Sequence, residues 1–327
     1  FAAPDDANTI DFHSAAYYLR YSNSLFVVRE VTSAARNSRD SDAVGQRIVG
    51  NSDAFDTQVA ALDSDSHTFI GKFPGTLGNS IDIHICPVAD SDGVFDNWAY
   101  KGSFDSRPGS SADAIAKTGL AAPKDEIHVA VVDADGELGG TKGAVLETYP
   151  FVSLASNVKD FDGTSLYIKD VINARSQYVK MAGFGNQSKF SANAGTTAVA
   201  SRDYDQLVGN PQTESFVLTN GVESGALATG QYLTGFDLLE DTEQITVDFL
   251  IAPGMTSNAD QATVVNDLVS IASSTRKDCV VNASPSRSSV VNNATPTASA
   301  VTSAELFTRS SYLIVDNNYL KVYDKYN

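Results

Sequence analysis

The stretch from residue 245 to residue 283 constrains the fold of this chain most, because it predicts a strand, a helix and a second strand in close succession. Apolar residues recur at every second position from Ile245 to Ile251, which is the pattern of a half-buried strand. Pro253 and Gly254 follow, and neither is well tolerated inside a strand. We therefore expect the first strand to end before them.

The helix of this stretch is predicted from a start signal and a periodic apolar face. Ser257 precedes Asp260 by three positions, which resembles a capping box, and apolar residues then recur at helical spacing from 262 to 272. Residues 279–281 form the second short strand. Two strands joined by one crossover helix predict a parallel, right-handed βαβ unit at 245–283, and hence an α/β (α+β mixed) fold class.

The turn between the first strand and the helix lacks a phosphate-binding motif. A dinucleotide-binding turn has the pattern G-x-G-x-x-G, and a phosphate-binding loop has G-x-x-x-x-G-K-[ST]. Residues 252–258 contain one glycine, Gly254, and no lysine. We therefore interpret this βαβ unit as scaffold rather than as a ligand site.

Charge and length limit the partners of the chain. Its 327 residues are enough for two domains, and its formal net charge is −17. Nucleic acids and anionic membrane surfaces attract positive patches, so we expect neither as a partner. No apolar run reaches the roughly 18 to 20 residues of a membrane span. The opening FAAPDD has no initiator Met and no signal-peptide pattern, and we expect a fragment of a longer protein.

Periodicity and turn signals predict further helices and strands along the chain. The predicted helices cover residues 11–20, 53–62, 162–175 and 227–239. The predicted strands cover residues 25–31, 81–85, 126–132, 144–154, 177–181, 216–218 and 306–315. Residues 33–45 are predicted to be an exposed connection, 90–124 mostly loop with a short strand or two, and 183–214 a long surface loop.

Residues that could carry chemistry are present, but they form no catalytic motif. The histidines are His13, His67, His84 and His128, and the cysteines are Cys86 and Cys279. Neither a G-x-S-x-G nucleophile elbow nor an H-E-x-x-H helix occurs. We interpret the histidines as structural and the cysteines as unpaired, buried thiols in different domains. We predict no catalytic, cofactor-binding or metal-binding residues, and no cofactor.

Three acidic turns and three glycosylation triplets are also interpreted as structural. The turns are Asp63-Ser-Asp65, Asp90-Ser-Asp-Gly93 and Asp133-Ala-Asp-Gly-Glu137. None has the ligand spacing and flanking helices of an EF-hand loop, and Asp-Gly is favoured in hairpins because both residues tolerate positive φ. The N-x-[ST] triplets begin at Asn186, Asn282 and Asn293. This pattern is frequent by chance.

Two strings near the C-terminal end resemble the contractile tail sheath proteins of large tailed bacteriophages, of the myovirus, giant-phage type. They are RKDCVVNASPSR at 276–287 and VDNNYLKVYDKYN at 315–327. Three further stretches resemble the same family in the same order, namely residues 18–31, FPGTLGNSI at 73–81, and residues 165–181. The similarity therefore spans nearly the whole chain.

The resemblance implies a domain arrangement. An α/β domain, residues 34–235, would be inserted into a split α/β core domain formed by residues 1–33 and 236–327. The protruding β-barrel domain of some members would be absent, because only a short polar link separates residue 31 from the predicted helix at 53. The family's C-terminal domain near the tube and its terminal arms would lie beyond the two ends of this chain.

The resemblance also implies a function and partners. Such a subunit polymerises as hexameric rings around the tail tube and contracts to drive the tube through the host envelope, and it is not an enzyme. Its partners would be copies of itself, the tail tube protein, and baseplate and neck proteins. It would be assembled in the host cytoplasm and located in the virion tail, with the fragment alone monomeric. The alternatives are an α/β hydrolase-type enzyme, which needs perturbed groups in a cleft, and a virion adhesin or decoration protein.

Overall fold

The computed structural model describes residues 9–41, 43–88, 93–185, 189–205, 213–317, 319, 321 and 323. The chain divides into two units. The first, here called the inner unit, is Ser33–Ser224. The second, here called the split unit, combines Phe1–Thr32 with Gly225–Asn327.

Helices and strands both contribute to the fold, as the sequence predicts. In the described part of the chain the strands are β1 (Asn37–Asp40), β2 (Phe69–Pro74), β3 (Ile81–Pro87), β4 (Glu126–Asp133), β5 (Ala144–Ser153), β6 (Val179–Met181), β7 (Glu214–Thr219), β8 (Phe249–Ile251), β9 (Val280–Ala283) and β10 (Leu313–Val315). The helices are α1 (Thr9–Tyr18), α2 (Ser52–Ser64), α3 (Gly93–Asp96), α4 (Ala112–Thr118), α5 (Ile168–Arg175), α6 (Thr229–Asp237), α7 (Asn258–Ser270), α8 (Arg287–Val290) and α9 (Pro296–Ala304). The mixed α/β fold class is therefore confirmed.

The inner unit is built on a seven-stranded antiparallel sheet with the order β5-β4-β3-β7-β1-β2-β6. Alternation along each strand assigns its side chains to the two faces. Ile83 and Ile85 of β3, Val129 and Val131 of β4, and Phe216 of β7 are fully buried on the first face. This face carries the large core of the unit, and apolar side chains of α4 and α5 complete that core.

The second face of this sheet is covered at its two ends. At one end Phe55 and Leu62 of α2 pack with Ile70 of β2. At the other end the segment 93–104 packs on Cys86 of β3 and on strand β4. Between these covers the second face is partly exposed along β7 and β3. We call this part the open strip, and its side chains are Asp82, His84, Ser215 and Val217.

The split unit contains the predicted βαβ unit. β8 and β9 pair in parallel, α7 connects them, and β10 adds a third parallel strand in the order β10-β9-β8. Ser257 caps α7 by accepting a hydrogen bond from the Asp260 backbone N–H at 3.1 Å, as the capping-box pattern predicts. Val264, Val265 and Leu268 line the buried face of α7. The parallel βαβ unit at 245–283 is therefore confirmed.

Several predicted boundaries in the split unit are wrong. The strand predicted at 245–251 begins at Phe249, because the Ile245 carbonyl accepts a hydrogen bond from Arg276 Nη2 at 3.0 Å and does not join a strand ladder. Residues 25–31 form no strand ladder in the described chain, and the Val31 carbonyl accepts from the Gln231 side chain instead. The strand predicted at 306–315 is reduced to β10.

Other predictions are wrong in the inner unit. Residues 33–45 are not an exposed connection, since they contain β1, which lies inside the sheet. The helix predicted from 162 begins at Ile168, because Asp162 Oδ1 accepts from the Thr164 N–H and hydroxyl and closes a local turn. The region 90–124 contains α4 and, in its described part, no strand. Among the described residues, no helix is long and apolar enough to cross a membrane.

Candidate functional site

The four histidines are not brought together. His13 lies on α1 of the split unit, and the other three lie in the inner unit. The ring of His128 stacks on Phe104 with centroids 4.5 Å apart. Its Nδ1 accepts from the Phe151 N–H at 3.1 Å and its Nε2 lies 2.7 Å from the Ser106 carbonyl, so Nε2 is the donor and the ring is neutral. Burial lowers the pKa of His128, which favours this neutral form.

His67 and His84 are also held in their neutral forms. His67 Nε2 lies 3.1 Å from the Val44 carbonyl, and burial lowers the pKa of this histidine. Burial likewise lowers the pKa of His84, whose Nε2 lies 4.0 Å from Asp82 Oδ2. Each of these three rings, of which His67 and His128 are buried and His84 is partly exposed, therefore has a structural environment of its own, and no shared site results.

The acidic turn at Asp133 uses its carboxylate to bind protein donors rather than a cation. Asp133 Oδ1 accepts from the Ser80 hydroxyl at 2.6 Å and from the Gly136 N–H at 3.0 Å. Asp133 Oδ2 accepts from the N–H groups of Leu138 at 2.9 Å and Gly139 at 2.6 Å. Burial alone would raise the pKa of Asp133, but these hydrogen bonds lower it below its ordinary value. The carboxylate thus organises the turn from inside.

The other predicted turns and triplets are placed as follows. The turn at 63–65 ends α2, and Asp65 forms an ion pair with Arg47. Asp90, Ser91 and Asp92 lie outside the described residues, as does the triplet beginning at Asn186. Asn282 lies in β9, and Asn293 Oδ1 accepts from the Thr295 N–H at 2.8 Å. No group of three or more His, Cys, Asp or Glu residues in the described chain has the geometry to hold a metal ion.

A buried serine and carboxylate cluster was not foreseen from the sequence. Asp125 accepts from the Ser111 N–H at 2.9 Å, from the Ser111 hydroxyl at 2.8 Å and from the Ser153 hydroxyl at 2.6 Å. In a serine hydrolase a histidine stands between the serine and the carboxylate and accepts the serine proton. Here both hydroxyls donate directly to the carboxylate. The cluster joins the start of α4 to the end of β5 and does not have the arrangement of a catalytic triad.

The cysteines are free, buried thiols in different units. Cys86 lies in β3 of the inner unit, and Cys279 lies just before β9 of the split unit. Burial raises the pKa of Cys86 to about 12, and burial also raises the pKa of Cys279. A thiol with a raised pKa has little reactive thiolate at neutral pH, so neither cysteine is suited to nucleophilic catalysis.

In the split unit, one buried arginine joins three segments of the chain. The Arg276 side chain is fully buried and lies at the end of a π-helix, Ile271–Arg276, that continues α7. Its guanidinium donates to the carbonyls of Leu239 at 2.7 Å and Ile245 at 3.0 Å, and to both carboxylate oxygens of Asp278 at 3.0 Å. The planar, five-donor guanidinium suits this convergence of acceptors. This arginine is a structural centre rather than a ligand site.

A surface recess opens among the described residues of each unit. One, of about 360 Å³ in the split unit, is lined by small uncharged residues, and hydroxyls of Ser286, Ser289 and Ser303 converge on Asn258 Oδ1 behind it. The other, of about 310 Å³ in the inner unit, lies at the edge of the open strip. Its lining residues are His84, Asn97, Trp98, Ala99, Tyr100, Thr213, Glu214 and Ser215. We call this second cavity the aromatic recess. The Tyr100 ring in its wall lies near the rings of His84 and Trp98.

Comparison with known proteins confirms the predicted resemblance over part of the chain. The chain is 34% identical over 145 residues to a protein named tail sheath protein from Salmonella phage ViI. That match covers 44% of this chain and 20% of the relative, so the chain spans about a fifth of the curated relative it matches. No family model matches the chain.

One solved structure with a related name is also similar. It is the crystal structure of the sheath tail protein Lin1278 from Listeria innocua, with a TM-score of 0.33 and 11% sequence identity. The similarity covers 68% of this chain and 32% of the Listeria chain. A TM-score and an identity this low support no conclusion about fold or function.

The functional residues that sequence reasoning missed have weak local signals. The Arg276-Lys277-Asp278 string gives only a general signal, since charged residues between apolar stretches can indicate a buried ion pair. Nothing local to Glu214 or Tyr100 indicates the aromatic recess, since β7 and the 93–104 segment meet there only through the strand order of the sheet.

Proposed function

We propose that this chain is part of a structural subunit of a phage tail sheath and is located in the tail of the virion. The observation that carries the proposal is the 34% identity over 145 residues to a phage tail sheath protein. The chemistry of the interior agrees with a scaffold. The buried carboxylates of Asp125 and Asp133, the ring of His128 and the guanidinium of Arg276 all bind backbone or hydroxyl groups that fix loops.

The finer proposal concerns assembly. Complete subunits polymerise as hexameric rings around a tail tube and contract, and they contact the tube, baseplate and neck proteins. Residues 34–235 act as a domain inserted into a core domain formed by 1–33 and 236–327, without a protruding β-barrel. A division into a split unit and an inner unit supports this arrangement. The protein needs neither a catalytic site nor a metal ion for this role.

Electron microscopy of the full-length protein expressed alone tests the assembly proposal. We expect hollow tubes of uniform diameter, because a sheath subunit carries the contacts that join it to its copies. Full-length protein that stays monodisperse at every concentration and ionic strength would contradict a sheath role.

A binding screen tests the proposed absence of a catalytic or metal site. We expect no saturable shift of the thermal unfolding midpoint with calcium or with nucleotides, because a ligand that binds only the folded state must raise that midpoint. A saturable rise with either would contradict the proposal.

A further inference from the structure

The three-stranded parallel sheet of the split unit carries its helices on one face. Its strands lie in the order β10-β9-β8, so the connections from β8 to β9 and from β9 to β10 run in the same direction across the sheet. Right-handed connections that keep one direction lie on the same face. The core agrees with this rule, because Leu250 and Val281 pack in one cluster with α7 and with Phe307 of the second connection. Both connections therefore cover the same face.

The opposite face of this sheet, here called the bare face, presents apolar side chains in register. Alternation assigns to it the residues that lie between the buried ones on each strand. Phe249 and Ile251 of β8 are 49% and 36% exposed, and Ile314 of β10 is 53% exposed. Ile251 and Ile314 pair with Asn282 of β9 and so form one row across the sheet. Phe249 lies beside Val280 in the next row. The bare face is thus an apolar surface with one amide, that of Asn282, in its middle.

Such a face is unusual for parallel strands, because parallel sheets occur almost only where helices cover both faces. The size of the bare face indicates what kind of cover it takes. Its three half-exposed side chains present on the order of 300 Å² of apolar surface. A lasting interface between separate proteins buries roughly 800 Å² on each partner. A segment of the same polypeptide is held nearby at a high effective concentration, so a smaller area is enough to hold it.

The direction of the chain and its charge favour the same occupant. A right-handed connection that leaves β10 and returns toward the outer edge of β8 runs opposite to the first two connections, and so lies on the bare face. A second copy is a poorer candidate, since each copy carries a formal net charge of −17 and repels the other. The tail sheath relative has chain to supply such a connection, because the 145 matched residues are only 20% of its length.

We propose that the bare face is covered by an amphipathic helix of the same polypeptide, from the segment of the full-length protein that follows residue 327. This inference rests on the proposed function, which supplies the longer polypeptide. The apolar stripe of the helix packs on Phe249, Ile251 and Ile314, as in other sheets with helices on both faces. The stripe contains one polar side chain opposite Asn282, because an apolar residue there would bury that amide without a partner.

Cysteine labelling of the full-length protein tests the cover. Ile314→Cys places a thiol on the bare face, and Val301→Cys places one on α9 of the same unit at the same exposure of 53%. Monomers are labelled with iodoacetamide at low ionic strength after any tubes have been removed by sedimentation. Each rate is divided by the rate of the same variant in urea. We expect the Ile314→Cys thiol to react about tenfold more slowly or less than the Val301→Cys thiol, at every protein concentration. Equal rates, or protection that appears only in tubes, would overturn the proposal.

Photo-crosslinking identifies the occupant independently of that comparison. Phe249 is replaced by p-benzoylphenylalanine, which keeps an aromatic ring on the bare face of the full-length monomer. We expect an adduct that leaves the mass of the monomer unchanged on a denaturing gel and that maps to a peptide after residue 327. An adduct to a second copy, or to a peptide within residues 1–327, would overturn the proposal. Leu306, which is 49% exposed outside the sheet, is the control position and should give no such adduct.

The outcomes separate this inference from the proposed function. Tube formation by the full-length protein, together with equal labelling of the Ile314→Cys and Val301→Cys thiols, would refute the cover and leave the sheath role intact. Protection of the Ile314→Cys thiol in a full-length protein that forms no tubes would support the cover and contradict the sheath role.

Discussion

In the split unit a buried arginine binds the carbonyls of two loop residues, whereas in the inner unit carboxylates and histidines bind the backbone of the turns. Arg276 holds the carbonyls of Leu239 and Ile245. In the inner unit, Asp133 holds the turn after β4, and His128 holds the Phe151 backbone. An arginine stays charged at every physiological pH, while carboxylates and histidines titrate. The two units should therefore differ in how they respond to substitution and to acid.

Each unit carries its own reporter, so the comparison can be made within one chain. Trp98 fluorescence and the accessibility of the Cys86 thiol report on the inner unit, and the accessibility of the Cys279 thiol reports on the split unit. Both thiols are buried, so labelling follows local opening. Mass spectrometry of the labelled peptides distinguishes the two.

The largest effect is expected from Arg276→Ala in the split unit. The substitution leaves the carbonyls of Leu239 and Ile245 without their donor in the interior, which should lower the free energy of unfolding of this unit by about 3 kcal/mol. The measurement is the urea dependence of Cys279 labelling, with Cys86 labelling unchanged. Arg309→Ala, at an exposed position of the same unit, is the control and should stay within about 0.5 kcal/mol. Equal effects of the two substitutions would show that Arg276 does not organise the unit.

Asp133→Asn in the inner unit should have a smaller effect and lower the free energy of unfolding of this unit by about 2 kcal/mol. The new amide NH₂ group would face backbone N–H donors, so at least one of the four hydrogen bonds to this side chain is lost. Urea unfolding followed by Trp98 fluorescence measures the change. Asp135→Asn alters a largely exposed carboxylate two residues away and should cost less than about 0.5 kcal/mol. If the two variants unfold at the same urea concentration, the turn does not depend on Asp133.

Acid should destabilise the inner unit through three histidines that are buried or partly buried. The pKa values of His67, His84 and His128 are all lowered by burial, so the unfolded chain takes up protons at a higher pH than the folded one. The stability that these neutral histidines contribute is fully present above the ordinary histidine pKa, and it is lost as the pH falls below that value. We expect the free energy of unfolding of the inner unit to fall by about 1 kcal/mol between about pH 7.5 and about pH 6. Urea unfolding followed by Trp98 fluorescence measures this change.

A variant attributes this pH dependence to a residue. His128→Gln removes one of the three titrating rings and should flatten the slope of stability against pH, whatever it does to stability at neutral pH. An unchanged slope would show that His128 does not titrate on unfolding in this range. Carboxylates such as Glu126 and Glu214, whose pKa values are raised by burial, act in the opposite direction at lower pH, so the measurement stops near pH 6.

The two units also differ in how much of their fold the sequence could predict. The βαβ unit at 245–283 was predicted because its signals are local: strand alternation, the Ser257 cap and the helical spacing of α7 all lie within about 40 residues. The strand order of the inner unit could not be predicted, because β3 pairs with β7 and β7 with β1 across more than a hundred residues. Residues 37–40 looked like a polar connection for the same reason, since the neighbours that bury them are distant in sequence.

The residues of the candidate site could likewise be predicted where their signals are local, and not where they depend on distant contacts. Interpreting Asp133-Gly136 as a turn was possible because hairpin chemistry is local, but the inward direction of the Asp133 carboxylate depends on Ser80, 53 residues away. The aromatic recess requires β3, β7 and the 93–104 segment to meet. Its residues carry no motif, so only the folded sheet identifies them.

The smallest effect is expected on the self-association of the chain, which depends on its surface charge. With a formal net charge of −17, copies of residues 1–327 repel one another at low ionic strength, and salt screens this repulsion beyond about 10 Å at 0.1 M. We expect a monomer in sedimentation at low salt and weak, concentration-dependent association as the salt is raised, because screening removes the repulsion between copies without adding a specific contact. A stable hexamer or tube of residues 1–327 at low salt would show that the acidic surface does not keep the copies apart.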